Sequence, residues 1–155
     1  MRNTLVILAM AGSAALLLGA LGFQYIGGMA PCEMCYWQRY PHAAAVGIGI
    51  LALIVGGSAL PWLGALAALT TAGIGVYHTG VERDWWEGPT TCTSGPVEGL
   101  TPEQLMEQIM SAPLVRCDEV PWELLTLSMA SWNAIASLGL ALIWVAAANH
   151  SRRGR

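Results

Sequence analysis

The sequence predicts an all-α membrane protein: a four-transmembrane-helix bundle with two outer loops, the second carrying a short amphipathic helix. Three observations predict it. The 155-residue chain is 55% hydrophobic and only 11% charged, where a soluble domain is about 25% charged. Its apolar residues gather into four runs, each near the roughly 20 residues a spanning helix needs. Its charges are segregated: Arg2, Arg152, Arg153 and Arg155 lie at the ends, and nine of the ten acids lie between Glu82 and Glu123. The whole chain reads as a single membrane domain. It has no lysine and no basic patch suited to nucleic acid.

The first span is expected over residues 4–25. Arg2 before an apolar core also fits a signal peptide. The stretch is longer than a usual signal core, and cleavage would leave three spans with the basic tail on the wrong side, so retention is expected. An outer loop over 26–39 follows. Spans two and three are expected over 40–60 and 62–80, joined by a short uncharged turn around 58–61. Gly47, Gly49, Gly73 and Gly75 lie inside them, and small residues let membrane helices approach closely.

The second loop, 81–126, is the only substantial water-facing segment. Trp85 and Trp86 suit the headgroup layer above span three. Thr101-Pro102-Glu103-Gln104 reads as a helix start: a threonine N-cap, proline at the first position and glutamine at capping-box distance. Leu105, Met106 and Ile109 give that helix an apolar side, and Pro113 is expected to end it. The fourth span is expected over 127–148. Basic termini on one side of an even number of spans place both in the cytoplasm. The four cysteines then face outward.

Those cysteines carry the chemistry. Cys32 and Cys35 form a Cys-x-x-Cys at the start of a helix, a setting that lowers a thiol pKa and favours a reactive pair. A disulfide across two intervening residues closes almost no loop and stabilises little. A structural zinc site more often shows two closely spaced ligand pairs, and Cys92 and Cys117 are too far apart in sequence to supply the second. Haem attachment needs histidine directly after the second cysteine, where Tyr36 stands. No metal is expected. A disulfide between Cys92 and Cys117 would close the second loop, although four cysteines allow three full pairings. Arg39 follows Cys35 by four residues and shares its helix face. Its guanidinium could stabilise a thiolate or a developing oxyanion, or snorkel to the membrane edge. Gln38, His42 and His78 are further polar candidates, and His78 lies nearest the outer end of span three.

With these residues in view, the chain resembles the disulfide bond formation protein B (DsbB) family of bacterial inner-membrane thiol:quinone oxidoreductases. The resemblance rests on Pro31-Cys32-x-x-Cys35-x-x-Gln38-Arg39 and on Gly75-x-Tyr77-His78-x-Gly80-x-Glu82. Trp85-Trp86, Gly88-Pro89, Cys92, Cys117, Pro121-Trp122 and Leu127 through Asn133 extend it over most of the chain. It implies a relay. A Cys92–Cys117 disulfide would oxidise a periplasmic DsbA-like thiol oxidase, Cys92 taking the mixed disulfide. Cys117 would react with Cys32, and Cys35 would pass electrons to ubiquinone or menaquinone from the membrane pool. Arg39, with Gln38 and His78, would hold that quinone. A vitamin K epoxide reductase-like protein would share the bundle, the Cys-x-x-Cys and the quinone, but with the cysteine order reversed. A disulfide-stapled scaffold is the non-enzymatic alternative.

Overall fold

The computed structural model describes residues 1–89, 92, 99–111 and 115–153. The expected helix stop at Pro113 and the terminal Arg155 lie outside the described residues. The elements are α1 (Arg2–Tyr25), α2 (Glu33–Val55), α3 (Ala59–Glu82), α4 (Pro102–Ser111), β1 (Glu123–Leu124), β2 (Leu127–Ser128) and α5 (Met129–Arg153). Four of them, α1, α2, α3 and α5, are long and apolar enough to cross a membrane. Each packs against two others, in the ring order α1–α2–α3–α5. Large apolar side chains such as Leu18, Ile54, Leu66 and Leu142 point outward from all four, as helices whose backbone is internally satisfied can do in lipid.

Small residues set the spacing. At one end, Val6, Ala9, Ala52, Ala65, Ala68, Ala141, Trp144 and Ala147 form a packed core. A Cβ at Gly64 would run into the Trp144 indole, so glycine there makes room for the largest buried side chain. At the same end, Gly56 and Gly57 turn the chain at φ 78° and 77°, conformations open to glycine. Arg2 donates to the Ala52 carbonyl in the last turn of α2, which also accepts from the Gly56 N–H. At the opposite end, Cys32, Met34, Val81, Cys92 and Cys117 form a second core.

Span two differs from its expected bounds. It begins at Glu33 rather than near residue 40 and ends at Val55 rather than near 60. Pro41 suits a first turn, yet it lies inside the helix. The start moves outward because Cys32 is the N-cap and its Sγ accepts from the Cys35 N–H at 3.2 Å, while Met34 is fully buried. The Cys-x-x-Cys therefore occupies the first helical turn.

The capping box of α4 forms: Thr101 N–H donates to Gln104 Oε1 at 2.9 Å, and Gln104 N–H donates to Thr101 Oγ1 at 3.3 Å. Its apolar Leu105, Met106, Ile109 and Met110 are exposed. Trp86, expected from the sequence in the headgroup layer, also has a packing role. It donates to the Tyr77 carbonyl at 2.9 Å, stacks on Tyr77 and occupies the space that a Cβ at Gly80 would need. Before α5, β1 and β2 pair antiparallel around Leu125 and Thr126 at φ 54° and 64°. Arg83 donates to the Thr126 carbonyl at 3.0 Å and ties this small hairpin to α3.

Candidate redox site

The site lies at the N-terminal end of α2. Cys32 and Cys35 bring their Sγ atoms to 2.7 Å. Cys32 is buried and Cys35 is half-buried. The hydrogen bond with Cys35, together with burial, holds the Cys32 thiol above its usual range. Cys92 and Cys117 form a disulfide with Cα atoms 5.4 Å apart. It packs in the same small core as Cys32.

His78 of α3 joins the two pairs. Its Nε2 lies 3.7 Å from Cys32 Sγ and 3.2 Å from the Cys117 carbonyl oxygen. A carbonyl only accepts, so the ring proton sits on Nε2 and Nδ1 is the acceptor. Gln38 confirms this polarity. Its amide donates to the Met34 carbonyl at 3.2 Å and to His78 Nδ1 at 2.9 Å. Glu82, one turn after His78 and with its side chain 4% exposed, accepts from Ser128 Oγ and lies 3.8 Å from His78 Nε2.

The chain of bonds continues inward. Gln38 Oε1 accepts from Asn133 Nδ2 at 2.8 Å. The same amide donates to Thr71 Oγ1 at 3.1 Å, and Thr71 donates to the Gln38 carbonyl at 3.0 Å. Asn133 Oδ1 meets His42 Nε2 at 2.9 Å. Gln38, His42 and His78, separate candidates in the sequence, thus belong to one buried network. Its other members are Asn133, Thr71 and Ser137; the sequence singled out none of them as a site residue, although Asn133 closes the stretch that carries the resemblance. The physical signal for them was an amide and hydroxyls inside apolar runs, where polar residues seek partners.

Arg39 turns the other way, toward α1. Nη1 donates to Gln24 Oε1 at 2.6 Å, Nη2 donates to the Ala20 carbonyl at 3.4 Å, and the guanidinium lies 5.1 Å from the Tyr36 ring centroid. Gln24 also escaped the sequence reading. Arg39 and Cys35 border one cavity of about 490 Å³. Leu16, Ala20 and Phe23 of α1, with Trp122, Met129 and Trp132, form its apolar walls, and Gln38, His42, His78, Glu82 and Asn133 supply polar groups. A mostly apolar cavity with a few convergent polar atoms suits a lipid-soluble ring compound. Cys32, Cys35 and His78 also hold three donor atoms within 4.8 Å of one another, one ligand short of a closed tetrahedral zinc set.

The sequence model of the family described as Disulfide bond formation protein DsbB matches residues 2–147. The disulfide bond formation protein B of Verminephrobacter eiseniae is 34% identical over 92% of this chain and 84% of its own length. That of Pasteurella multocida is 34% identical over 86% of this chain and 81% of its own. That of Stutzerimonas stutzeri is 25% identical over 91% of each. No solved structure matches the chain.

Proposed function

The chain belongs to the disulfide bond formation protein DsbB family, a multi-pass membrane protein of disulfide formation, and from that premise we propose that it is a thiol:quinone oxidoreductase that reoxidises a periplasmic DsbA-like dithiol oxidase. Both termini lie in the cytoplasm on this reading, and both cysteine pairs face the periplasm.

The observation that carries the proposal is the docking of the Cys92–Cys117 disulfide onto the Cys-x-x-Cys, itself at the lip of the cavity. Each transfer is attack by a thiolate on a disulfide sulfur. The partner's thiolate attacks Cys92 Sγ, the Cys92–Cys117 bond breaks, and Cys117 leaves as thiolate. The partner's second thiolate displaces Cys92, which completes the partner's disulfide. Cys117 attacks Cys32 of an oxidised Cys32–Cys35 pair, and Cys35 leaves as thiolate. Cys92 then displaces Cys32 from Cys117, restoring the outer disulfide and leaving Cys32 and Cys35 reduced. Cys117 suits this role because its carbonyl already shares His78 Nε2 with Cys32.

A quinone held against Cys35 takes two electrons and two protons and leaves the Cys32–Cys35 pair oxidised. Arg39, one turn along α2 from Cys35, stabilises negative charge on the sulfur or on a quinone oxygen, and Gln24 and the Ala20 carbonyl fix its position. Gln38 orients His78. The apolar walls exclude water.

The test is turnover in detergent with a short-chain quinone and a reduced DsbA-type protein, following quinone absorbance and partner thiols together. Stoichiometric quinone reduction that vanishes in Cys35→Ser is expected. A stable protein with intact disulfides that reduces no quinone overturns the reading.

A further inference from the structure

We propose that Glu82 is a redox-linked proton store: it takes up a proton when the Cys32–Cys35 pair is reduced and releases it when the pair is oxidised. Uptake and release concern the cysteines alone, and the use made of the proton rests on the quinone reading above. The inference begins from a buried acid that no step of the relay uses. The Glu82 side chain is 4% exposed. Its Oε2 accepts from Ser128 Oγ, and its Oε1 lies 3.8 Å from His78 Nε2, its one ion-pair contact among the described residues. A buried carboxyl in such a setting ionises or stays neutral according to the charges around it.

Those charges are of two kinds. The fixed ones are Arg83 on α3 and Glu123 on β1, which oppose each other at Glu82, and Arg39, Arg116 and Glu119, which border the same cavity. Arg83 donates to the Thr126 carbonyl and lies over the Trp85 ring, and Arg39 is engaged with Gln24 and the Ala20 carbonyl of α1. The variable charge is the cysteine pair of α2. Cys32 Sγ lies 3.7 Å from His78 Nε2, and Cys35 Sγ lies within 4.8 Å of it. Both sulfurs and the carboxyl therefore surround one N–H. The Cys32 thiol is held above its usual range, so the reduced pair keeps its proton on Cys32 and its charge on Cys35. That charge repels an ionised Glu82, and it vanishes when the disulfide forms. Reduction thus favours the neutral carboxyl and oxidation the carboxylate. His78 cannot take this part. Its Nε2–H faces the Cys117 carbonyl and its Nδ1 accepts from the Gln38 amide, so both nitrogens already meet a hydrogen.

The proton count then closes. The reduced site holds a thiol at Cys32, a thiolate at Cys35 and a neutral Glu82. Oxidation joins the two sulfurs, removes two electrons and frees two protons, one from Cys32 and one from Glu82. Two electrons and two protons are what a quinone needs to become quinol. The site carries one negative charge before the step, on sulfur, and one after it, on the carboxylate. No net charge enters or leaves a buried space, where uncompensated charge is costly.

The experiment is a redox titration without quinone. The purified protein, stripped of quinone, is equilibrated in dithiothreitol buffers across the neutral pH range, and the Cys32–Cys35 peptide is scored for thiols by alkylation and mass spectrometry. Each proton bound with two electrons changes the equilibrium constant tenfold per pH unit, about 30 mV. The parent should show two protons, a hundredfold change and about 60 mV per pH unit. Glu82→Gln should show only the Cys32 proton, and Glu82→Asp should keep the parent slope. Infrared difference spectra of the parent, reduced minus oxidised, should gain a neutral carboxyl band, a readout that needs no variant to fold. A one-proton slope in the parent, equal slopes in the parent and Glu82→Gln, or no carboxyl band on reduction overturns the proposal. A parent whose two-proton slope is halved in Glu82→Gln, but which reduces no quinone, supports the store and sinks the quinone reading.

Discussion

Gly75→Ala and Gly73→Ala lie two residues apart on α3 and should differ in the sign of their effect. A Cβ on Gly75 would sit 3.0 Å from the Ala130 carbonyl oxygen, 3.1 Å from Ala134 Cβ and 3.2 Å from Ala134 N. These are backbone atoms or a first side-chain carbon of α5, so no rotamer change relieves the contact. Overpacking of this kind costs about 1–3 kcal/mol, against about 0.5–1 kcal/mol gained from replacing a helical glycine. The displaced surface carries Asn133, next to Ala134, with bonds to Gln38 and Thr71 at 2.8 and 3.1 Å. Polar contacts between membrane helices average about 0.6 kcal/mol each, so Gly75→Ala should destabilise by roughly 1–3 kcal/mol in total. Gly73 has nothing within 4 Å of its virtual Cβ, so its alanine variant should gain about 0.5–1 kcal/mol. Equilibrium unfolding of the purified protein in mixed micelles, titrated with a denaturing detergent, reads the difference. Equal stabilities for the two variants would refute close α3–α5 contact as the reason for glycine at 75.

Arg39→Met should lower quinone reduction about 10²-fold or more, the usual cost of removing a preorganised oxyanion donor. Arg39→Lys should recover only part of this, because an ammonium cannot span Gln24 and the Ala20 carbonyl as the guanidinium does; steady-state rates at saturating quinone decide, and Arg39→Met within threefold of the parent rules the role out. Reducing the Cys92–Cys117 bridge, which spans 25 residues, should release about 3–4 kcal/mol of chain constraint, seen as faster amide exchange in α4 with little change in α1. Arg116 holds the Asp118 carboxyl below its ordinary range through their hydrogen bonds. The pair therefore contributes above the ordinary carboxylate pKa and is lost as pH falls through the lowered value. At the surface this is worth under about 1 kcal/mol. Asp118→Asn should flatten the acid-dependent rise in proteolysis of the loop between α3 and α5, and a profile identical to the parent's would discount the pair.

The spans were legible because a 20-residue apolar run has few alternatives, and the α4 start was legible because its capping box is local in sequence. The start of α2 was legible in part: the Cys-x-x-Cys was placed at a helix start, while the apolar span was drawn only from residue 40. Pro41 is a strong local signal for a first turn, and the burial of Met34 that overrides it is a tertiary fact. The hairpin at Leu125 and Thr126 was invisible because neither residue is the glycine or asparagine that positive φ normally selects.

The site divides along the same line. The four cysteines and Arg39 stood out by residue type and spacing. Their organisation did not, because it depends on pairings across helices: Gln38 with Asn133, Cys32 with His78, Arg39 with Gln24. A polar residue in an apolar run announces that it needs a partner, not which one. Direction was hidden more deeply still. Which nitrogen of the neutral His42 ring carries the proton is set by the Met34 carbonyl through the Gln38 and Asn133 amides, and by the Gln38 carbonyl through the Thr71 hydroxyl and Asn133. A Gln38→Glu exchange preserves the side-chain volume but sets an oxygen against the Met34 carbonyl unless that oxygen is protonated. It should therefore disturb the His78 end and the His42 end of the network together, although neither histidine is changed.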